Sequence, residues 1–188
     1  MILYHGTSKR YADLIMKEGF KSRSETKNSN WDHTIVSQED FIYLTNAYAF
    51  YFAQAAAEDP ICSIIQVEVN DDDIFPDEDF IRQVNKIPNE VHIDIVDYMH
   101  CGLLSLEHLG NCAVYPECIK ILGRKDFNIK DMIAYSDPSI SLINYRLMKE
   151  YYKELIRRWW NDEDYKNIDQ SEMITKALMK GGCDVNEK

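Results

Sequence analysis

Hydrophobic and polar positions change their period several times along the chain. Met1-Ile2-Leu3-Tyr4 is a short apolar run, and His5-Gly6-Thr7-Ser8 is a small polar turn at its end. This reads as a strand leading into a helix. Tyr11, Leu14, Ile15 and Glu18 then follow helical spacing, with Thr7-Ser8 placed to cap the helix and Gly19 to stop it. Residues 21–40 are polar with few apolar anchors and read as a long loop, a length that in a compact domain usually serves function. Phe41–Thr45 reads as the next strand. Asn46 is placed to cap an alanine-rich helix over Ala47–Ala57, and Pro60 follows its end.

Ser63–Val69 alternates, with Ile65, Val67 and Val69 on one side and Gln66 and Glu68 on the other, as in a half-buried strand. Asn70–Asp73 reads as a turn, and Ile74–Phe80 as a short acidic piece with apolar anchors. Pro88 opens an expected helix over Asn89–His100, with Val91, Ile95 and Met99 on one face. Leu103–Leu109 reads as connecting structure. Asn111–Tyr115 and Cys118–Leu122 read as short strands either side of Pro116, which cannot sit inside a central strand. From Ser139 the pattern turns helical. Leu142, Tyr145, Met148, Tyr152, Leu155, Ile156 and Trp159 form one apolar stripe. Ser171 is the expected cap of a last helix that Gly181-Gly182 closes.

Composition narrows this picture. A chain of 188 residues fits one domain with a helical extension, and 45% apolar residues is ordinary for a folded globule. The net charge of −11 argues against broad, sequence-blind binding to nucleic acid, although it leaves room for a local basic pocket. No run of about 18 apolar residues is present, and the N-terminus lacks the basic and apolar regions of a secretion signal. The five cysteines, Cys62, Cys101, Cys112, Cys118 and Cys183, are odd in number and form no C-x-x-C pair. Neither a disulfide framework nor a structural zinc site is expected, and reduced thiols in a cytoplasmic protein are.

The candidate chemistry lies at the first two strand ends. His5-Gly6-Thr7 brings an imidazole, a bare backbone and a hydroxyl to the end of one strand. Tyr43-Leu44-Thr45 brings an aromatic face and a polar turn to the end of the other. These two segments, with Ala47 and Tyr51-Phe52-Ala53 behind the second, resemble the first two signature segments of the ADP-ribosyltransferase superfamily. That superfamily is diphtheria-toxin-like and poly(ADP-ribose)-polymerase-like, of His-Tyr-Glu type. The resemblance covers roughly the first two thirds of the chain. It implies an α+β fold: a split, mostly antiparallel β-sheet core around an NAD cleft over residues 1–126, and a C-terminal helical extension over 127–188 packed on it.

The resemblance also implies roles. His5 and Gly6 orient NAD, and Thr7 and Ser8 lie beside them. Tyr43 stacks on nicotinamide, and Tyr51 adds a second aromatic wall. Arg23 holds the pyrophosphate, with Lys21, Lys9 and Arg10 as other cations and the helix start at Ser8 assisting. The superfamily's late-strand Glu falls here at Cys112, or at Asn111 with a one-residue slip. The acid is therefore assigned to Glu107, with Glu117 as another candidate and Asn111 as a neutral substitute. The chemistry asks for such a group, because cleaving nicotinamide from NAD builds positive charge on the ribose carbon.

The implied function is mono-ADP-ribosyl transfer from NAD, without metal, to a macromolecular acceptor, protein being favoured over nucleic acid. Small free-standing domains of this kind resemble bacterial or phage toxins and counter-defence proteins. Two alternatives stand beside it: an inactive relative that binds NAD, a nucleotide or a partner protein, and an RNA 2′-phosphotransferase. Residues 81–110 are the expected acceptor-selecting segment. Cys112 reads as a small core thiol, and His92, His100 and His108 as surface or structural. Asp71-Asp72-Asp73 and Asp77-Glu78-Asp79 read as a solvated acidic face. Arg157, Arg158, Trp159 and Trp160 either lock the last helices onto the core or form a partner surface.

Overall fold

A computed structural model describes residues 1–27, 38–79, 81, 98–132 and 142–181. Six strands form one antiparallel sheet in the order β4-β5-β2-β1-β3-β6. They are β1 (Ile2–Ser8), β2 (Ile42–Thr45), β3 (Ile61–Glu68), β4 (Phe75–Pro76), β5 (Asn111–Val114) and β6 (Lys120–Asn128). The helices are α1 (Lys9–Glu18), α2 (Arg23–Thr26), α3 (Ala49–Ala55), α4 (Tyr98–Leu109), α5 (Leu142–Trp160) and α6 (Gln170–Gly181). The α+β class that the resemblance implies is the one observed.

Helix starts follow local chemistry. Ser8 caps α1, its hydroxyl accepting from Tyr11 N–H at 3.5 Å, and Gly19 closes α1 at φ +80°. At α3 the hydroxyl of Thr45 accepts from the N–H groups of both Ala47 and Tyr48, at 3.1 and 2.9 Å. Thr45 thus fixes the turn ahead of α3; Tyr48, not Asn46, holds the N-cap position and makes no side-chain cap bond, and the helix begins two residues later than expected. At α6 the carboxylate of Asp169, not Ser171, accepts from the Ser171 and Glu172 N–H groups, at 2.9 and 3.1 Å. A carboxylate there also meets the positive end of the helix dipole.

The sheet is covered on both faces. Tyr4, Cys62, Ile64 and Phe127 pack with α3 and with Tyr152, Leu155 and Ile156 of α5. Leu3, Leu44, Ile65, Val67, Cys112 and Val114 pack with Ala12 of α1 and Leu106 of α4 on the other face. β3 is thus buried on both sides along its first half, not half-buried throughout. Among the described residues, no helix is long and apolar enough to cross a membrane.

Further sequence expectations are corrected: His5-Gly6-Thr7-Ser8, read as a turn, is the second half of β1 and pairs with β3. Leu103–Leu109 is helical, part of α4, because Leu103 and Leu106 supply the apolar face that covers the sheet. The last strand is longer than Cys118–Leu122. β6 runs to Asn128 as an edge strand whose polar middle, Arg124-Lys125-Asp126, hid it from a pattern search. The boundary at residue 126 therefore falls inside β6. Within the loop over 21–40, residues 23–26 form one helical turn with a Ser22/Glu25 capping box. The expected helix over 89–100 lies outside the described residues except for 98–100, which open α4.

Candidate functional site

β1 and β2 are neighbours in the sheet, yet their register is a single pair, Tyr4 with Thr45. Beyond it β1 continues along β3 as far as Ser8–Cys62, and β2 continues along β5 as far as Ile42–Val114. The sheet therefore parts into a β1-β3-β6 half and a β4-β5-β2 half. His5 stands on one lip of the parting and Tyr43 on the other.

The imidazole bridges the lips. His5 Nδ1 lies 3.1 Å from the Tyr43 carbonyl oxygen. A carbonyl only accepts, so Nδ1 carries the proton and, in the neutral ring, Nε2 is left as an acceptor. Phe20 packs edge-on to the imidazole at 5.2 Å. Burial draws the His5 pKa below its ordinary value, against the opposing pull of the Tyr43 hydrogen bond. The ring is therefore neutral near pH 7, with an acceptor suited to a sugar hydroxyl.

Tyr43 is half-buried, and its phenol donates to Asp79 Oδ2. The Gln38 N–H approaches both groups, at 3.1 Å from the Tyr43 oxygen and 3.2 Å from Asp79 Oδ2. Burial pushes the phenol pKa far up, and the carboxylates of Asp79 and Asp77 push it further. The phenol therefore stays protonated. Asp79 arrives there through tertiary structure. β4 pairs with β5 at Pro76–Cys112, and Asp77 N–H donates to Ser105 Oγ at 3.2 Å. Ser105 in turn donates to the Asn111 carbonyl at 2.8 Å. This chain of contacts fixes the backbone just ahead of Asp79.

The solvated reading of Asp77-Glu78-Asp79 is therefore corrected. Asp77 is 6% exposed and Asp79 is half-buried on Tyr43. Asp71 and Asp72 are exposed as expected. Asp79 and Gln38 are the site residues that the pattern missed. The available signal was the apolar run Ile74-Phe75-Pro76 directly ahead of the acids, which ties them to a segment packed on the sheet.

The other nominated residues spread around this parting. Gly6 faces α3, so closely that a Cβ would lie 1.9 Å from the Ala49 carbonyl oxygen. Thr7 and Ser8 are buried, and Ser8 is committed to its cap. Tyr51 sits on α3 beside Phe52, packed on the α3–α5 core. Asn111 is 1% exposed and pairs with Thr45. Glu107 is exposed on α4, where its charge acts on Lys149 of α5. The carboxylates that act on Tyr43 are Asp79 and Asp77 instead.

Of the cations, Lys9 pairs with Asp13 at 3.2 Å, Arg10 with Glu58 at 3.6 Å and Lys21 with Glu18 at 2.7 Å. Arg23 lies in α2, half-buried. An open cleft of about 620 Å³ runs beside α2. Phe20, Tyr115, Ile119 and Ile121 are among its apolar lining, and Glu25, Asp40 and Glu117 give it acids. Arg23 is not among the lining residues, and three carboxylates disfavour a pyrophosphate there.

At the C-terminal end, Trp159 packs on Phe50 and Phe127 at 5.0 and 6.1 Å, and Trp160 packs on Tyr4 at 5.7 Å. Arg157 pairs with Glu154 and Glu163, and Arg158 with Glu154. These contacts hold the end of α5 on the sheet. Cys62 and Cys112 are buried free thiols. Burial pushes Cys62 up to about 11 and raises Cys112 too, which disfavours thiolate chemistry at either. His33 and His92 lie outside the described residues. Among the described residues, no group of three His, Cys, Asp or Glu side chains is placed to hold a metal ion. No protein-family model, curated protein or solved structure matches the chain.

Proposed function

We propose that this chain is a mono-ADP-ribosyltransferase that takes ADP-ribose from NAD and passes it to a macromolecular acceptor. The observation that carries the reading is the parting of the sheet between β1 and β2, with His5 and Tyr43 on opposite lips and His5 Nδ1 bonded to the Tyr43 carbonyl. A flat ring and an amide need an aromatic face and backbone polar groups, and strands that cease to pair leave such groups available. The Tyr43 phenyl face offers the first. His5 Nε2, as an acceptor, suits a ribose hydroxyl of the same substrate.

As the glycosidic bond to nicotinamide breaks, the bonding pair leaves with the ring nitrogen. Positive charge then develops on the ribose carbon. Asp79 is the carboxylate nearest the ring platform by direct contact, so it is the negative group best placed to favour that charge. The chain's own net charge of −11 favours a protein acceptor over a polyanionic one. A toxin-like or counter-defence role belongs to the same reading.

The test is incubation of the protein with labelled NAD and a cell lysate. Label transfer is expected, with loss of at least about a hundredfold in Tyr43→Ala and in His5→Ala. Transfer that is unchanged in both variants would falsify the assignment. One specific observation favours the inactive relative as a second reading: the start of β5 holds a buried Asn111 where the resemblance asks for an acid. NAD binding without nicotinamide release is the outcome that selects it.

A further inference from the structure

We propose that the cleft beside α2 binds a linear aliphatic polyamine, a small organic cation that carries ammonium groups along a methylene chain. The cleft is not lined by His5 or Tyr43, and a ligand there does not depend on the NAD reading.

The walls of the cleft come from distant parts of the chain. Phe20 follows α1, Glu25 lies in α2, Asp40 precedes β2, and Tyr115 and Glu117 lie between β5 and β6. Contacts within the chain hold these walls in place. The Ser24 N–H donates to the Glu39 carbonyl at 2.9 Å, which ties α2 to the residue beside Asp40. Tyr115 stacks on Phe41 at 4.5 Å and meets Phe75 edge-on at 5.3 Å. Its ring is therefore held while it remains 36% exposed.

The chemistry of the lining selects the ligand. Glu25, Asp40 and Glu117 bring three carboxylates to one cleft of about 620 Å³, and among the described residues no Lys, Arg or His lines it. Lys21, next in sequence to Phe20, is paired with Glu18 at 2.7 Å. Backbone donors are scarce as well. The N–H groups of Gly19, Ser22, Ser24, Glu25 and Ile119 are each donated within the chain, and Pro116 has none. Glu25 spends one oxygen on Ser22, and a carboxylate has further lone-pair sites to offer. The cleft thus presents acceptors and apolar surface but few donors.

A matching ligand only donates at its polar points and is apolar between them. An alkylammonium chain has this character. Its methylenes suit Phe20, Tyr115, Ile119 and Ile121, and an ammonium gains further at an aromatic ring. A lysine-rich peptide shares the ammonium groups but adds a carbonyl at every residue, for which the lining holds few donors. A phosphate meets three like charges. A bare divalent cation gains nothing from the apolar floor, and among the described residues no group of three His, Cys, Asp or Glu side chains is placed to hold one.

The experiment is titration calorimetry of spermidine against the full chain at about 150 mM salt, where attraction between distant exposed charges is screened. Wild type is expected to bind with a dissociation constant below about 1 mM. Asp40→Asn/Glu117→Gln removes two exposed carboxylates and is expected to weaken binding about tenfold, at about threefold each. Glu25→Gln weakens it about threefold and keeps the Ser22 capping box, which glutamine also completes. Tyr115→Leu keeps an apolar wall, removes the ring and weakens binding about threefold. The control is Asp131→Asn/Asp162→Asn. It removes the same charge from exposed positions that follow β6 and α5, and is expected to leave binding unchanged. The two double variants decide the matter even if Tyr115→Leu fails to fold. No heat of binding at millimolar spermidine overturns the proposal. Equal losses in the two double variants overturn it as general charge attraction. Tri-lysine that binds tighter than spermidine makes the cleft a basic-peptide site instead, and magnesium that displaces spermidine at equal concentration makes it a plain acidic cluster. Either result overturns the polyamine assignment.

Discussion

The hydrogen bond between His5 Nδ1 and the Tyr43 carbonyl sets the tautomer of the imidazole, and burial sets its charge. Burial holds the folded-state pKa below the ordinary 6.5, so the unfolded chain binds this proton more readily than the folded one. The stability that comes from keeping His5 neutral is fully present above the unfolded value. It is lost as pH falls below that value towards the folded one. We therefore expect the urea midpoint to decline between about pH 7.5 and about pH 5.5, with a shallower decline in His5→Gln. The carboxylates whose pKa values are lowered, such as Glu154 at about 2, titrate below this window. Parallel profiles for the two proteins would show that the imidazole carries no such linkage. At the same scale, Asp79 was visible only as one acid among several. Which acid meets a phenol depends on where β4 lies, and that is not a property of the acid.

Among the elements, α3 and β1 set the tightest contact. A Cβ on Gly6 would meet the Ala49 carbonyl oxygen at 1.9 Å and the Ala53 nitrogen at 2.8 Å. Both are backbone atoms, so no side-chain rotation relieves the clash. Small residues at Ala49 and Ala53 are what allow the helix to lie on the strand. Overpacking of this kind costs about 3 kcal/mol, and we expect Gly6→Ala to lose that much in urea unfolding. Gly19 is a contrast. It stands at φ +80°, ψ 176° with open space around it, a backbone region essentially reserved to glycine, so Gly19→Ala costs backbone strain alone, about 1–3 kcal/mol. A Gly6→Ala variant as stable as the wild type would mean that α3 gives way instead of the strand. The sequence shows two turn-side glycines of the same kind, and the helix above one of them makes the difference.

For the molecule as a whole, the question is whether the C-terminal helices are a separate body. Tyr152, Leu155 and Ile156 of α5 lie in one core with Tyr4, Phe50, Cys62 and Phe127. The Lys125 ammonium lies over both indoles of Trp159 and Trp160, at 5.7 and 5.9 Å. A chain cut after β6 would expose that face of the sheet. We therefore expect tryptophan fluorescence, which reports largely on Trp159 and Trp160, and far-ultraviolet circular dichroism to give one coincident unfolding transition. An earlier fluorescence transition would mark 127–188 as an independent unit.

The sequence by itself determined the elements whose signals are local. The presence of strands around Leu3 and Tyr43, the Ser8 cap, the Gly19 stop and the apolar stripe of α5 all follow from spacing and side-chain chemistry within a few residues. Tertiary structure alone decided the rest. The parting of β1 from β2 depends on which strands each continues to pair with. The presence of Asp79 on Tyr43 depends on a two-residue strand that finds β5 through long-range contacts. The polar length of β6 has meaning only as the edge of a sheet. Periodicity reports which face of an element is apolar, but a site between elements is set by contacts distant in the chain, and these leave no period to read.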